Sequence, residues 1–168
     1  DEGALDDGES VESVFKPDFN LDLLRGYPYV GRNLLFERGG FLAAGAFDPI
    51  YGELAPHDAL WRLVEKSGTG TVGHIAEVLV ESALSFSGWL SREDVMAKSE
   101  AILAAHLQRI GVAHVIHHDH LRVLNRVEYL HATQPMVSII IPVKDSLPAL
   151  ERCVDSLLSS TVYANYEV

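Results

Sequence analysis

The chain has one cysteine, Cys153, so no internal disulfide can form, and a reducing compartment is the setting that fits. Lys and Arg number 13 against 24 Asp and Glu, a formal net charge of −11. Binding along a nucleic-acid backbone needs clustered cations, so nucleic acid is an unsuitable partner, and anionic membranes are repelled. No apolar run reaches the roughly 20 residues of a membrane span, and no signal peptide is recognisable. There is no Gly-rich phosphate loop, no zinc-type Cys/His spacing, no Ser-His-Asp arrangement, no internal repeat and no low-complexity segment. The sequence opens on Asp1 rather than Met, and the expectation is a piece cut from a longer protein.

What is present is 48% apolar residues in 168, enough for one domain or parts of two. Residues 1–13 are acidic and contain glycine, and read as a loop. "NLDLLRGYPYVGR" predicts a short helix capped by Asn20 and ended by Gly26 and Pro28. "NLLFERGGFLAAGAF" predicts a Gly-interrupted short helix. "HDALWRLVEKSG" places Leu60, Leu63 and Val64 at helical spacing, with Gly68 as the stop. "TVGHIAEVLVES" reads as a strand on its β-branched content.

"SREDVMAKSEAILAAHLQRIG" is the clearest helix. Ser91 and Asp94 have capping-box spacing, Val95, Ile102, Leu103, Leu107 and Ile110 form a stripe, and Gly111 ends it. "VAHVIH" and "LRVLNRVEYL" predict a hairpin around "HDH", and "ATQP" a linker. Residues 137–143 are apolar on both faces, as a buried parallel strand is. "SLPALERCVDSLLSS" follows as a helix with Leu150, Val154, Leu157 and Leu158 on one side, and "NYEV" starts another strand. Strand, helix and strand make one βαβ unit, whose ligand end is "PVKD".

The last 32 residues, "VSIIIPVKDSLPALERCVDSLLSSTVYANYEV", resemble the start of a family 2 glycosyltransferase domain of the GT-A type. The features are the apolar strand into Pro142, the Lys144-Asp145 turn, the "CVDSLL" helix and "YANYEV". "FKPDFNLDLL", "YVGRNLLFERGGF", "HDALWRL" and "GHIAEVLV" resemble the second half of such a domain, in order. The fold class implied is α/β: partial GT-A elements joined by a helix and hairpin. Residues 1–90 would end one domain, 91–135 would connect, and 136–168 would begin the next. The helix and hairpin are then expected to lie outside either catalytic core.

The resemblance implies a sugar transferred from a nucleotide-sugar donor to a glycan acceptor, assisted by Mg²⁺ or Mn²⁺ in the parent protein. Asp1 falls where the family's Asp-x-Asp metal motif begins. The second Asp is Gly3, and the family's late His is Glu81, still an oxygen donor. The two adjacent acids expected before the helix of Arg62 are Ala55 and Pro56, which leaves Asp58 as the candidate general base, or as a helix-start residue favoured by the dipole. Pro142, Val143, Lys144 and Asp145 would line the nucleotide pocket of the second domain, or form an ordinary strand-to-helix turn capped by Asp145 or Ser146.

The alternative reading is a degenerate, non-catalytic module that scaffolds a neighbouring catalytic domain. A third is a metal protein built on "HHDH", in which His118 and His120 share one strand face; its bland counterpart is a polar hairpin tip. Trp61 and Trp89 read as core, although either could stack on a sugar, and Cys153 reads as a small buried residue. The implied location is the cytoplasm, with the inner face of the membrane as the parent's alternative. The apolar strand over 137–143 is expected to complete the sheet of the first half, within one chain or between two, giving a homo-oligomer through exposed sheet edges.

Overall fold

The computed structural model describes residues 1–6, 9–119 and 124–168 and is a mixed α/β structure. It divides into two compact units, Asp1–Leu130 and His131–Val168.

In the first unit, β1 (Glu2–Asp6) pairs antiparallel with β2 (Glu9–Val14) and parallel with β3 (Val80–Ser82), in the order β2-β1-β3. The expected loop over residues 1–13 is therefore a strand pair. Its acidity concealed it: Glu2 is buried, and cations that arrive later in the chain neutralise it. Conversely, the strand expected from "TVGHIAEVLVES" shrinks to Val80–Ser82, because residues 72–79 leave the ladder and carry His74 toward two carboxylates.

Helix α1 (Leu21–Gly26) is capped as expected: the Asn20 side chain accepts from the Leu23 N–H at 2.8 Å. Tyr29 is buried, and its hydroxyl accepts from the Asn20 N–H at 2.7 Å, pinning the helix entry. Helix α2 (Arg38–Ala43) starts on the Glu37 carboxylate, which accepts from the Gly39 and Gly40 N–H groups. A 3₁₀ turn (Pro49–Leu54) leads into α3 (Ala55–Ser67), where Pro56 suits the first turn because no N–H partner is needed there. Gly68, at φ +82°, ends α3 in a conformation that disfavours a side chain.

After the short α4 (Phe86–Leu90), the long α5 (Glu93–Arg109) buries Val95, Met96, Ile102, Leu103 and Leu107, and packs against α3 and the 3₁₀ turn. The predicted capping box does not form. The Ser91 hydroxyl donates to the Gly88 carbonyl instead, and Asp94 takes the Arg92 guanidinium, whose geometry suits a carboxylate better than a lone N–H does. Ile110 falls off the apolar stripe: it is exposed, because the chain turns at Gly111 (φ +71°). Strands β4 (His114–Asp119) and β5 (Leu124–Tyr129) pair antiparallel, with Ile116 and Val127 packed on the core; of the "HDH" expected at the turn, His118 and Asp119 lie within β4 and His120 lies outside the described residues. The segment expected to be a connector thus shares one hydrophobic core with α1 and α3, together with the buried Trp61 and Trp89.

The second unit is the predicted βαβ arrangement in miniature: β6 (Val137–Ser138) runs parallel to β7 (Tyr166–Glu167), with α6 (Leu147–Ser160) between them. Only the first two residues of the expected strand over 137–143 are laddered. Their partner is β7, which is two residues long; the Ile139 N–H still donates to the Glu167 carbonyl at 2.8 Å, and Ile140 to Val143 lie beyond the ladder. None of residues 131–168 is buried, and Ile140 is 89% exposed. Buried-strand character is therefore absent here, Leu158 is exposed, and Cys153 is exposed rather than buried. A 14-residue helix without burial is marginal in water. In the 168-residue chain, amides of α6 are expected to exchange with D₂O at nearly unprotected rates while those of α5 are protected. Equal protection of the two helices would contradict this.

Candidate functional site

The residues singled out by sequence fall into three places. Asp1, just before β1, has an almost fully buried carboxylate. Its Oδ1 accepts from the Lys16 N–H at 2.8 Å and faces His74 Nε2 at 3.1 Å. The other ring nitrogen, Nδ1, lies 3.2 Å from Asp18 Oδ1, on a side chain that is open to solvent. Glu81 lies on β3 opposite Gly3 in the ladder, so the two positions expected to complete the metal motif are neighbours, one of them without a side chain.

Beside Asp1 sits a second charged cluster that sequence reading did not find. Glu2 is 1% exposed and binds Lys16 Nζ at 3.0 Å and Arg32 at 3.3 Å, with the Asn33 amide also at 3.3 Å. Lys16 Nζ donates to the Val30 carbonyl, and Arg32 donates to the Leu84 carbonyl while its guanidinium lies over Trp89. Gly31, at φ +78°, lies against Lys16 and Glu2, where a Cβ would collide. Its carbonyl accepts from His57 Nε2 at 2.7 Å. Burial pushes the His57 pKa down to about 4, despite that hydrogen bond, so the ring is neutral at pH 7.

Asp58, the candidate base, is buried in the first turn of α3. Arg62, one turn on, holds Oδ2 through Nε at 2.8 Å, and Arg109 of α5 reaches Oδ1 at 3.5 Å. Neither oxygen is directed at an open surface by these contacts. Asp58 does not cap α3 through a side-chain hydrogen bond, and α3 starts without one. The rest of the Arg62 fork donates to the carbonyls of Ala44 and Ala46, a turn in which Ala46 takes φ +56°. Lysine cannot make that three-way grip, so Arg62→Lys is expected to lower unit stability by about 1–2 kcal/mol. Urea unfolding checks this, and an unchanged midpoint would show the grip to be idle.

Arg109 also binds Glu65 at 2.8 and 2.9 Å, and Glu65 meets His106 Nδ1 at 2.7 Å. The His106 ring stacks on Trp61 with centroids 4.0 Å apart. Burial lowers the His106 pKa, and Glu65 opposes that only in part. Burial likewise acts to raise the Glu65 pKa, but the Arg109 and His106 contacts outweigh it and hold it low. This network joins α3 to α5 through Asp58. The partners of Asp1 and those of Asp58 are different residues.

Pro142, Val143, Lys144 and Asp145 are all exposed in the second unit. Asp145 has φ +52°, and Ser146, at the start of α6, makes no side-chain cap bond, so the turn is not a capped one. On the hairpin, His117 faces Glu128 at 2.9 Å and His118 faces Asn125 at 2.9 Å. His120 lies outside the described residues. No group of three His, Cys, Asp or Glu side chains converges to hold a metal among the described residues. Asp1 and His74 meet as a hydrogen-bonded imidazole–carboxylate pair, and with Gly3 lacking a side chain the residues present do not make up the family's metal set. Among the described residues no helix is long and apolar enough to cross a membrane.

No family model matches the chain, and neither does any solved structure. The O-antigen biosynthesis protein RfbC of Myxococcus xanthus is 34% identical over 173 residues, which takes in 100% of this chain and 13% of that protein. Uncharacterized protein y4gI of Sinorhizobium fredii is 31% identical over 169 residues, 98% of this chain and 19% of its own length. The chain is therefore similar, from end to end, to a short stretch of two much longer proteins, one of them named for O-antigen biosynthesis.

Proposed function

We propose that this chain is a working segment of a glycan-building protein, and more finely of a glycosyltransferase that moves a sugar from a nucleotide-sugar donor to a glycan acceptor. The observation that carries the reading is the match to the O-antigen biosynthesis protein, which covers the whole chain and so takes in both structural units. In this reading Asp1 belongs to the donor side of the first unit. Pro142, Val143, Lys144 and Asp145 open a nucleotide pocket in the second. A divalent cation, when bound, neutralises the charge that develops on the leaving diphosphate. Asp58 is the carboxylate with base chemistry in the first unit.

A second reading has its own support. Both oxygens of Asp58 are engaged by arginines, and Gly3 stands where a second acid is expected. The first unit would then be a scaffold beside a catalytic domain rather than a catalyst. One experiment separates the readings. The matching stretch of the Myxococcus protein is replaced by this chain, in cells whose own gene is deleted, and O-antigen is followed by gel. Restored O-antigen supports a role in glycan building, and a stably produced chimera that restores none, beside an intact control that does, defeats it. Loss on Asp1→Asn or Asp58→Asn favours catalysis by the first unit; full activity in both variants favours the scaffold.

A further inference from the structure

We propose that the cavity between α1, α3 and α5 is a binding site for one structural water, which donates to His57 Nδ1 and to the Leu24 carbonyl and accepts from the Ser99 hydroxyl. The proposal goes beyond the glycan reading and does not rest on it.

Three polar groups are buried here without a protein partner. His57 is 3% exposed, and its Nε2 lies 2.7 Å from the Gly31 carbonyl. A carbonyl only accepts, so Nε2 carries the proton and Nδ1 is left with a lone pair. Among the described residues no donor reaches that lone pair. Ser99 is 9% exposed, in the middle of α5, and its hydroxyl does not turn back to a carbonyl of its own helix. The third group follows from the sequence. In a helix the Leu24 carbonyl would accept from the N–H four residues on, and that residue is Pro28, which has none. The Tyr27 N–H goes to the Leu23 carbonyl and the Tyr29 N–H to that of Tyr27, so neither relieves it.

His57, Ser99, Leu24 and Pro28 line one cavity of about 10 Å³, room for a single water. The rest of its wall is Leu54, Trp61 and Ile102, all buried. The site presents two acceptors and one hydroxyl that can donate. A water has two protons to give and a lone pair to receive, so each group finds one partner. An apolar cavity of this size would stay dry, whereas one with three polar partners holds its water. One sealed water with both protons committed does not solvate an imidazolium as bulk water does, so the ring stays neutral. α1, α3 and α5 then meet at one molecule, and α5 is tied to the first unit by polar contacts as well as by its apolar stripe. The same contact keeps the proton on Nε2, which holds the Gly31 carbonyl beside Lys16 and Glu2.

A high-resolution crystal structure of the 168-residue chain reads the site directly, together with nitrogen-15 NMR of the His57 ring. One water is expected within hydrogen-bond distance of His57 Nδ1, the Leu24 carbonyl and Ser99 Oγ, with Nε2 as the protonated nitrogen. Ser99→Ala is expected to leave the fold intact by circular dichroism, to lower the urea midpoint and to weaken or lose the water. A direct bond to Nδ1 from Ser99, or from the Trp89 indole N–H, whose nitrogen is likewise buried without a partner, would overturn the proposal. So would a cavity that holds no water in the crystal. Ser99→Ala with both the water and the midpoint unchanged would overturn it too, since the hydroxyl would then hold nothing. Because the readouts are a water position and a midpoint, failure here leaves the O-antigen test untouched, and failure there leaves the water.

Discussion

Glu2→Gln is expected to destabilise the first unit by about 3–5 kcal/mol, the range found when one partner of a buried ion pair is removed. The carboxylate is 1% exposed and is shared by Lys16 and Arg32, with the Lys16 side chain itself only 8% exposed. Glutamine keeps the shape but leaves the nearly buried Lys16 ammonium, and Arg32 at 21% side-chain exposure, without their anion. A domain is stable by only about 5–15 kcal/mol, so a large part of the total would be lost. Trp61 and Trp89 both lie in this core, so their fluorescence in a urea titration reports the unit directly. A midpoint close to that of the native chain would mean that Lys16 and Arg32 find water or other partners. The charge cluster would then not hold β1 in place.

The second large effect is on pH. His57 has a folded pKa of about 4 against an ordinary value of 6.5. Below pH 6.5 the unfolded chain takes up a proton that the folded chain refuses, so stability falls as the pH drops and levels off below about 4. Each pKa unit corresponds to about 1.4 kcal/mol, so the total is about 3 kcal/mol. His106 adds loss in the same direction, since burial lowers its pKa too. Carboxylates that are paired in the folded state contribute at the acid end, so the useful quantity is a difference. Native chain and His57→Gln, whose amide can still donate to the Gly31 carbonyl, are compared in urea at pH 7, 6, 5 and 4.5. The native chain is expected to lose more stability over that range. Parallel curves would show that His57 is protonated in the folded unit or that its cavity admits water.

Neither Glu2 nor His57 was singled out in the sequence, although the helix that carries His57 was. The helices α1, α3, α5 and α6 and the hairpin β4–β5 were legible because their signals are local: a cap at Asn20, stops at Gly68 and Gly111, apolar spacing along 95–107, alternation around a turn. Strands β1 and β2 were not, because their stability rests on Lys16 and Arg32 closing on Glu2, and periodicity does not record such pairings. The shortening of β3 has a similar cause, since the chain there serves His74 rather than the ladder. His74 stood in a motif that was quoted, yet only its distance to Asp1 and Asp18 marks it. The strand over 137–143 failed for another reason. Its sequence asks for neighbours on both sides, and its one ladder partner is two residues long.

The glycosyltransferase reading is tested most directly by donor turnover. The chimera of the Myxococcus protein carrying this chain is purified and given a panel of nucleotide sugars with Mn²⁺ and a lipid-linked glycan acceptor. Release of nucleoside diphosphate is measured together with acceptor growth. The account predicts acceptor-dependent release by the chimera, none from the 168-residue chain alone, and none when the segment is deleted. A folded chimera that grows no acceptor with any donor, while the unmodified protein does so under the same conditions, would contradict it.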